Sequence, residues 1–166
     1  MLFRSTQKIT ITDTTAPKIT QPEGLTVEAT SATDNTISLA LPSAQDAVSE
    51  VHIENDAPSV FSLGDTIVTW TATDEAGNAA TTTQKITIID TTAPTITIPE
   101  NVVTDAISLK TPVSIGTASA SDLTDDAPSI TNDAPESFPL GQTIVTWTVE
   151  DKFGNLLSKE IGRAHV

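Results

Sequence analysis

The most regular hydrophobic pattern in the chain has a period of two. From Thr66 to Thr73, Val68, Trp70 and Ala72 alternate with Ile67, Thr69 and Thr71, which predicts a strand with a core face and a wetter face. Asp74-Glu75-Ala76-Gly77-Asn78 follows. Gly beside Asn supplies the left-handed backbone geometry of a hairpin turn, so the chain reverses there. Gln84 to Ile89 then alternates Ile86 and Ile88 against Lys85 and Thr87, which predicts the returning strand. Upstream, Lys18 to Gln21, Leu25 to Ala29, Thr36 to Leu41 and Val51 to Ile53 are shorter strand candidates between Pro, Gly, Asp and Asn breaks. About seven short strands separated by turn signals predict an all-β protein of β-sandwich type.

The pattern occurs twice. TQKITITDTTAPKIT from Thr6 returns as TQKITIIDTTAPTIT from Thr83, a shift of 77. At the same shift Asn55-Asp56-Ala57-Pro58 returns at Asn132 to Pro135, SLGDTIVTWT from Ser62 returns as PLGQTIVTWT from Pro139, and Gly77-Asn78 returns at Gly154-Asn155. Between these, ISLALPSAQD from Ile37 aligns with VSIGTASASD from Val113 at a shift of 76, a one-residue loop difference compensated later. Loops vary while strands keep their length, as a repeated module requires. The predicted organisation is residues 1–13 as the last strand of a truncated preceding repeat, 14–90 as a first module, 91–159 as a second module lacking its last strand, and 160–166 as a non-native tail. That tail, EIGRAHV, departs from the repeat and reads like the translation of sequencing-adapter sequence. Ile9 and Ile11 would then form an orphan strand able to fill an open slot in a neighbouring molecule.

Trp70 and Trp147 lie in the best-patterned strands, between valine and alanine or valine on their own face, and are read as core anchors rather than a sugar-binding surface. Val68, Val145, Ile86 and Ile88 complete the predicted core.

The run FSLGDTIVTWTATDEAGN, with the alternating strand and DTTAP after it, resembles the hyalin repeat (HYR) family of immunoglobulin-like adhesion modules. The resemblance covers Ala16 to Lys159 in two copies. It rests on Phe61, Leu63, Gly64, Thr66, Val68, Thr69, Asp74, Gly77 and Asn78, and on Phe138, Leu140, Gly141, Thr143, Val145, Thr146, Asp151, Gly154 and Asn155. It implies tandem immunoglobulin-like antiparallel β-sandwiches, an extracellular setting, a role in cell adhesion within long multi-domain proteins, and no shared catalytic residues. Many members carry a cysteine where Trp70 and Trp147 stand, so packing replaces a cross-link here. The second copy also reads TVEDKFGN where the first has TATDEAGN.

Composition narrows the chemistry. A formal net charge of −14 over 166 residues repels phosphate backbones and anionic lipid, which argues against nucleic-acid binding and membrane docking. No apolar run is long enough to cross a bilayer, so membrane insertion by this segment is not expected. The chain has no cysteine, which removes disulfides and thiolate metal sites. Its two histidines are His52, in a predicted strand, and His165, in the tail, with no base placed to activate a serine or threonine. No enzyme is expected, and no cofactor other than calcium has a motive. Asp13 and Asp90 sit in the DTTAP junctions, and Asp122, Asp125 and Asp126 form an acidic loop. Hard cations need several oxygen ligands, which such carboxylates supply, although turn capping by Asp90 and plain solvation of the loop account for the same residues.

Two functions follow. One is a spacer and adhesive segment of a secreted or cell-surface protein, with a bacterial source expected and neighbouring repeats, proteins or glycans as partners. The alternative is an accessory, carbohydrate-binding module of a secreted hydrolase, which would need exposed aromatic rings; the chain has no tyrosine.

Overall fold

The computed structural model describes residues 5–165. Residues 1–4 of the predicted leading segment and Val166 of the predicted tail lie outside the described residues. Among the described residues the chain is built of strands and turns, with no helix, and the fold is all-β. By contact it divides into two compact units, Met1–Val27 with Thr36–Ile88, and Glu28–Asn35 with Ile89–Val166.

The first repeat contains β1 (Lys18–Ile19), β2 (Leu25–Glu28), β3 (Ala44–Gln45), β4 (Val51–Asn55), β5 (Gly64–Asp74) and β6 (Ala79–Ile89). Strands β2, β6, β5 and β4 form one four-stranded sheet in that order, and β1 pairs with β3 in a separate two-stranded sheet. The β5–β6 hairpin dominates, running in antiparallel register from Gly64↔Ile88 to Thr73↔Ala79. Its inward positions Val68, Trp70 and Ala72 on β5 and Ile86 on β6 are 0% exposed, whereas the outward Ile67 is 59% exposed. β-Branched residues fit such a pleat because each inward side chain stacks between cross-strand neighbours. Burying each valine or isoleucine contributes roughly 1.5–3 kcal/mol.

The second repeat contains β7 (Thr95–Thr97), β8 (Lys110–Thr111), β9 (Ser119–Ser121), β10 (Ser129–Asn132), β11 (Phe138–Pro139), β12 (Gln142–Glu150) and β13 (Leu156–His165). Its main sheet has the order β10-β12-β13, with β7–β9 and β8–β11 as separate antiparallel pairs. Residues 102–105, which lie 77 on from β2, are reduced to an isolated bridge at Val103, and the main sheet has three strands. Ile96, Phe138, Val145, Trp147 and Val149 make its core, with Val113, Ile115 and Ile130 against it.

Three expectations are corrected. The slot predicted to be open in the second repeat is filled, because β13 pairs with β12 from Leu156 to His165, with a register shift between Thr143 and Val145. A ladder is made by backbone groups, so residues that share no pattern with Thr81 to Asp90 still complete the sheet edge. Thr36 to Leu41 is not a strand, although Ile37 and Leu39 alternate in burial with their neighbours. Alternation reports which way side chains face; pairing needs a neighbour at ladder distance, and here β1 takes Ala44–Gln45 instead. Thr6 to Asp13 copies the second half of β6 in sequence yet forms no strand, and Ile9 and Ile11 are 75% and 93% exposed. A strand sequence without a partner strand stays unpaired.

Candidate metal centre

The repeated motifs close the modules. Asn55 Oδ1 accepts from Ala57 N at 3.0 Å and Asp56 Oδ1 accepts from Thr69 N at 2.6 Å, so a side chain continues the ladder where β4 leaves β5. Asn132 and Asp133 repeat both contacts with Ala134 N and Thr146 N at 3.1 and 2.7 Å. The β5–β6 turn has Gly77 at φ +89°, and its counterpart Gly154 at φ +87°, a region in which an L side chain is strained.

Around each turn an aspartate and an asparagine clasp one another. Asp74 Oδ1 accepts from Asn78 N and Oδ2 from Asn78 Nδ2, each at 2.8 Å, and Asn78 Nδ2 also reaches Asp13 O at 3.4 Å. In the second unit Asp151 accepts from Asn155 N and Nδ2 at 2.9 and 2.7 Å, and Asn155 Nδ2 reaches Asp90 O at 3.2 Å. The asparagine therefore fastens the hairpin turn to the Asp-Thr-Thr-Ala-Pro segment of its own unit.

This fastening gathers carboxylates. Asp13, Asp46 and Asp74 each place one oxygen within 4.8 Å of the others', and Asp90, Asp122 and Asp151 do the same. Asp74 and Asp151 are buried at 6% exposure. Asp46 Oδ2 accepts from Val48 N at 2.7 Å, Asp13 Oδ1 from Thr15 N at 3.0 Å, and Asp122 Oδ1 from Thr124 N and Asp125 N at 2.8 and 2.9 Å. These local bonds aim the carboxylates inward. The one ion pair among the described residues is elsewhere, Lys85 with Asp65 at 2.9 Å, both more than half exposed.

Burial pushes the Asp74 carboxyl up, but the Asn78 side chain and the backbone N–H groups of Asn78, Gly77 and Ala76 outweigh it and hold the group below its ordinary value. The same balance holds Asp151 down, through Asn155, Phe153 and Gly154. For Asp122, burial is outweighed by Thr124 and Asp125, while the charge of Asp151 pushes the other way; the net direction is again down. These three are carboxylates at neutral pH.

Of the five aspartates singled out from the sequence, Asp13, Asp90 and Asp122 stand in the clusters. Asp125 and Asp126 do not. Asp125 Oδ2 accepts from Lys152 N at 2.8 Å and its Oδ1 from Ala127 N at 3.1 Å, so it caps two loops, and Asp126 is exposed. Sequence reasoning missed Asp46, Asp74 and Asp151 as cluster members. The signal was present: Asp46 aligns with Asp122 at the 76-residue shift, and Asp74 with Asp151 at 77. Trp70 and Trp147 are 0% and 5% exposed.

Fold and repeat together define a tandem of antiparallel β modules of about 77 residues, each with an acidic cluster at the same place. A family model described as HYR domain matches residues 12–88 and again 89–158. The chain belongs to the HYR domain family. It is 36% identical over 171 aligned residues to hyalin of Lytechinus variegatus, covering 90% of this chain and 31% of that protein. It is 30% identical to the sushi, von Willebrand factor type A, EGF and pentraxin domain-containing protein 1 of Mus musculus, covering 86% of this chain and 4% of that protein. The chain thus spans less than a third of the curated relatives it matches. Among solved structures it is similar to the human desmocollin-1 ectodomain at 11% identity and a TM-score of 0.37, covering 92% of this chain and 37% of that one. These relatives are animal proteins, and they give the expected bacterial source no support.

Proposed function

We propose that the chain is a non-catalytic, extracellular segment of a larger secreted or cell-surface protein, whose modules act as spacers and adhesive surfaces. One observation carries this reading: the residues that recur 77 positions apart are spent on holding each module together. Asp56 continues a ladder, Asp74 and Asn78 clasp a turn, and Trp70 and Val68 fill the core. What remains for a partner is the exposed loop surface, which differs between the copies. Family membership supports the same reading. His52 is exposed on β4, so it has no sheltered pocket in which to act as a base.

The carbohydrate-binding alternative needs a flat, exposed aromatic surface. Both indoles are buried, and the exposed aromatic among the described residues is Phe153, whose ring has the Lys152 ammonium 5.1 Å above it.

Beads coated with the chain test the reading. Coated beads are expected to adhere to cells or to one another more than uncoated ones, with no retention of the free chain on insoluble polysaccharide. Retention on polysaccharide without bead adhesion would overturn it. The spacer role is tested by pulling single molecules, where each module is expected to unfold in its own event with a gain of about 3.3–3.6 Å per residue.

A further inference from the structure

We infer that residues 6–11 of one molecule dock as a strand on β12 of a second copy of this chain, taking the place of the end of β13 and linking molecules head to tail. The two sequences involved already pair once within each molecule. Residues 83–88 read TQKITI and lie along GDTIVT of β5, in unbroken register from Gly64↔Ile88 to Thr69↔Thr83. Residues 6–11 also read TQKITI, and residues 141–146 of β12 read GQTIVT. Both sides of that ladder therefore recur, with Gln142 in place of Asp65 as the one change. Gly64 and Gly141 share a left-handed backbone as well, at φ +96° and +105°. Only the pairing differs, because residues 6–11 belong to no strand.

Each side lacks something the other carries. On the leading segment, Ile9 and Ile11 are 75% and 93% exposed, whereas their counterparts Ile86 and Ile88, paired with β5, are 0% and 2% exposed. Pairing in the same way takes both side chains out of water. On the receiving strand, Trp147 is 5% exposed, and its indole N–H meets no acceptor among the described residues. In the first repeat the acceptor comes from TQKITI itself, since Gln84 Oε1 takes the Trp70 N–H at 3.1 Å. Gln7 holds the place of Gln84 in the leading segment. In the register of the β5–β6 ladder it falls opposite Val145, on the face that carries Trp147. A buried donor without an acceptor is costly, so docking relieves a penalty and buries two isoleucines together.

Because β13 already holds this edge, docking is an exchange. From Glu150↔Leu156 to Thr146↔Glu160 the β12–β13 ladder is regular, but its register shifts between Thr143 and Val145, an irregularity the β5–β6 ladder does not have. The incoming segment covers residues 141–146 and leaves the pairs of Leu156 to Lys159 with Trp147 to Glu150 in place. Backbone hydrogen bonds opened along residues 160–165 are remade with residues 6–11. The burial of Ile9 and Ile11 and the acceptor for Trp147 are added to that even trade. Donor segment and receiving edge are different parts of the chain, so the contact is heterologous, and it builds open rows of molecules unless they close into a ring.

The inference stands whether or not the chain adheres to cells, and it is tested in solution on the whole chain. Sedimentation is expected to show dimers and longer species that grow with concentration up to about 1 mM, the weak end of specific association. Ile9→Ala and Ile11→Ala trim side chains that are exposed in the free molecule. Each is expected to weaken association by about tenfold or more, with the melt of the dilute chain unchanged. Single cysteines read the register, since the chain has none of its own. Lys8→Cys in one molecule and Ile144→Cys in another fall directly opposite in this ladder, as Lys85 and Ile67 do. On oxidation the mixture is expected to form a mixed disulfide dimer faster than either variant forms dimers alone. A strict monomer over the whole concentration range would overturn the proposal. So would association that both alanine variants leave intact, or a mixture that cross-links no faster than its components. A Lys8→Cys, Ile144→Cys double variant that closes its disulfide within one chain, at a rate independent of dilution, would overturn the second copy as the partner.

Discussion

The indole N–H of Trp70 donates to Gln84 Oε1 at 3.1 Å, and Gln84 Nε2 donates in turn to Glu23 O at 2.9 Å. The corresponding N–H of Trp147 is buried and meets no acceptor among the described residues. Gln84 lies opposite Val68, on the same face of the sheet as Trp70. Gln84→Leu strands the Trp70 donor, and the first unit is expected to lose about 1–3 kcal/mol, read by calorimetry. If that substitution leaves the transition of the first unit unmoved, the indole contact has no energetic weight.

Trp70 is fully buried between Val68 and Ala72 on the inner face of β5. Truncation to alanine removes a large side chain from a small core, at a cost of roughly 3–5 kcal/mol. That is a large part of the roughly 5–15 kcal/mol that holds a domain folded. Trp70→Ala is expected to abolish the thermal transition of the first unit while leaving that of the second. An unchanged melt would contradict the burial.

Gly77 and Gly154 test the turn. A Cβ at either position clashes with nothing closer than about 4 Å, so the penalty for Gly→Ala is purely that of the left-handed backbone. Each substitution is expected to cost about 1–2 kcal/mol in its own unit, measured by denaturant unfolding. Replacement by asparagine, which tolerates that region better, is expected to cost less than alanine.

Acid should unfold the chain. Asp56, Asp74, Asp122 and Asp151 all have carboxyls held below their ordinary value in the folded state. A group with a lowered folded value binds its proton more weakly folded than unfolded. Its contribution is therefore present above the ordinary carboxylate range near 3.9, and is lost as pH falls through the folded value. In chelator, the melting temperature is expected to stay level from neutral to about pH 5 and to drop below about pH 4. Asp56→Asn, which is outside both acidic clusters, is expected to make that drop shallower. A melting temperature that rises on acidification would refute the assignment.

Much of the fold was legible because a period of two in the β5 and β6 sequences states directly which side chains face inward, and a 77-residue shift doubles the evidence. The turns were equally plain, since Gly77-Asn78 and Gly154-Asn155 carry their own backbone preference. What escaped was pairing. Nothing local distinguishes Ile37 to Leu41, which alternates without a partner strand, from Ala44–Gln45, which has one. The last strand of the second repeat was hidden for the opposite reason, because Glu160 to His165 lacks the motif, and a ladder of backbone groups leaves no mark in the sequence. The acidic clusters were half visible. The junction aspartates stood out by their place in the chain, whereas Asp46 joins them only because folding brings it there from 33 residues away along the sequence, 46 against 13.

The burial of one indole in each repeat has a practical corollary. With two tryptophans and no tyrosine in the chain, intrinsic fluorescence comes almost wholly from Trp70 and Trp147. Each module thus reports its own solvation, and replacing either ring by phenylalanine leaves a single-emitter chain in which the opening of one link can be followed without labels.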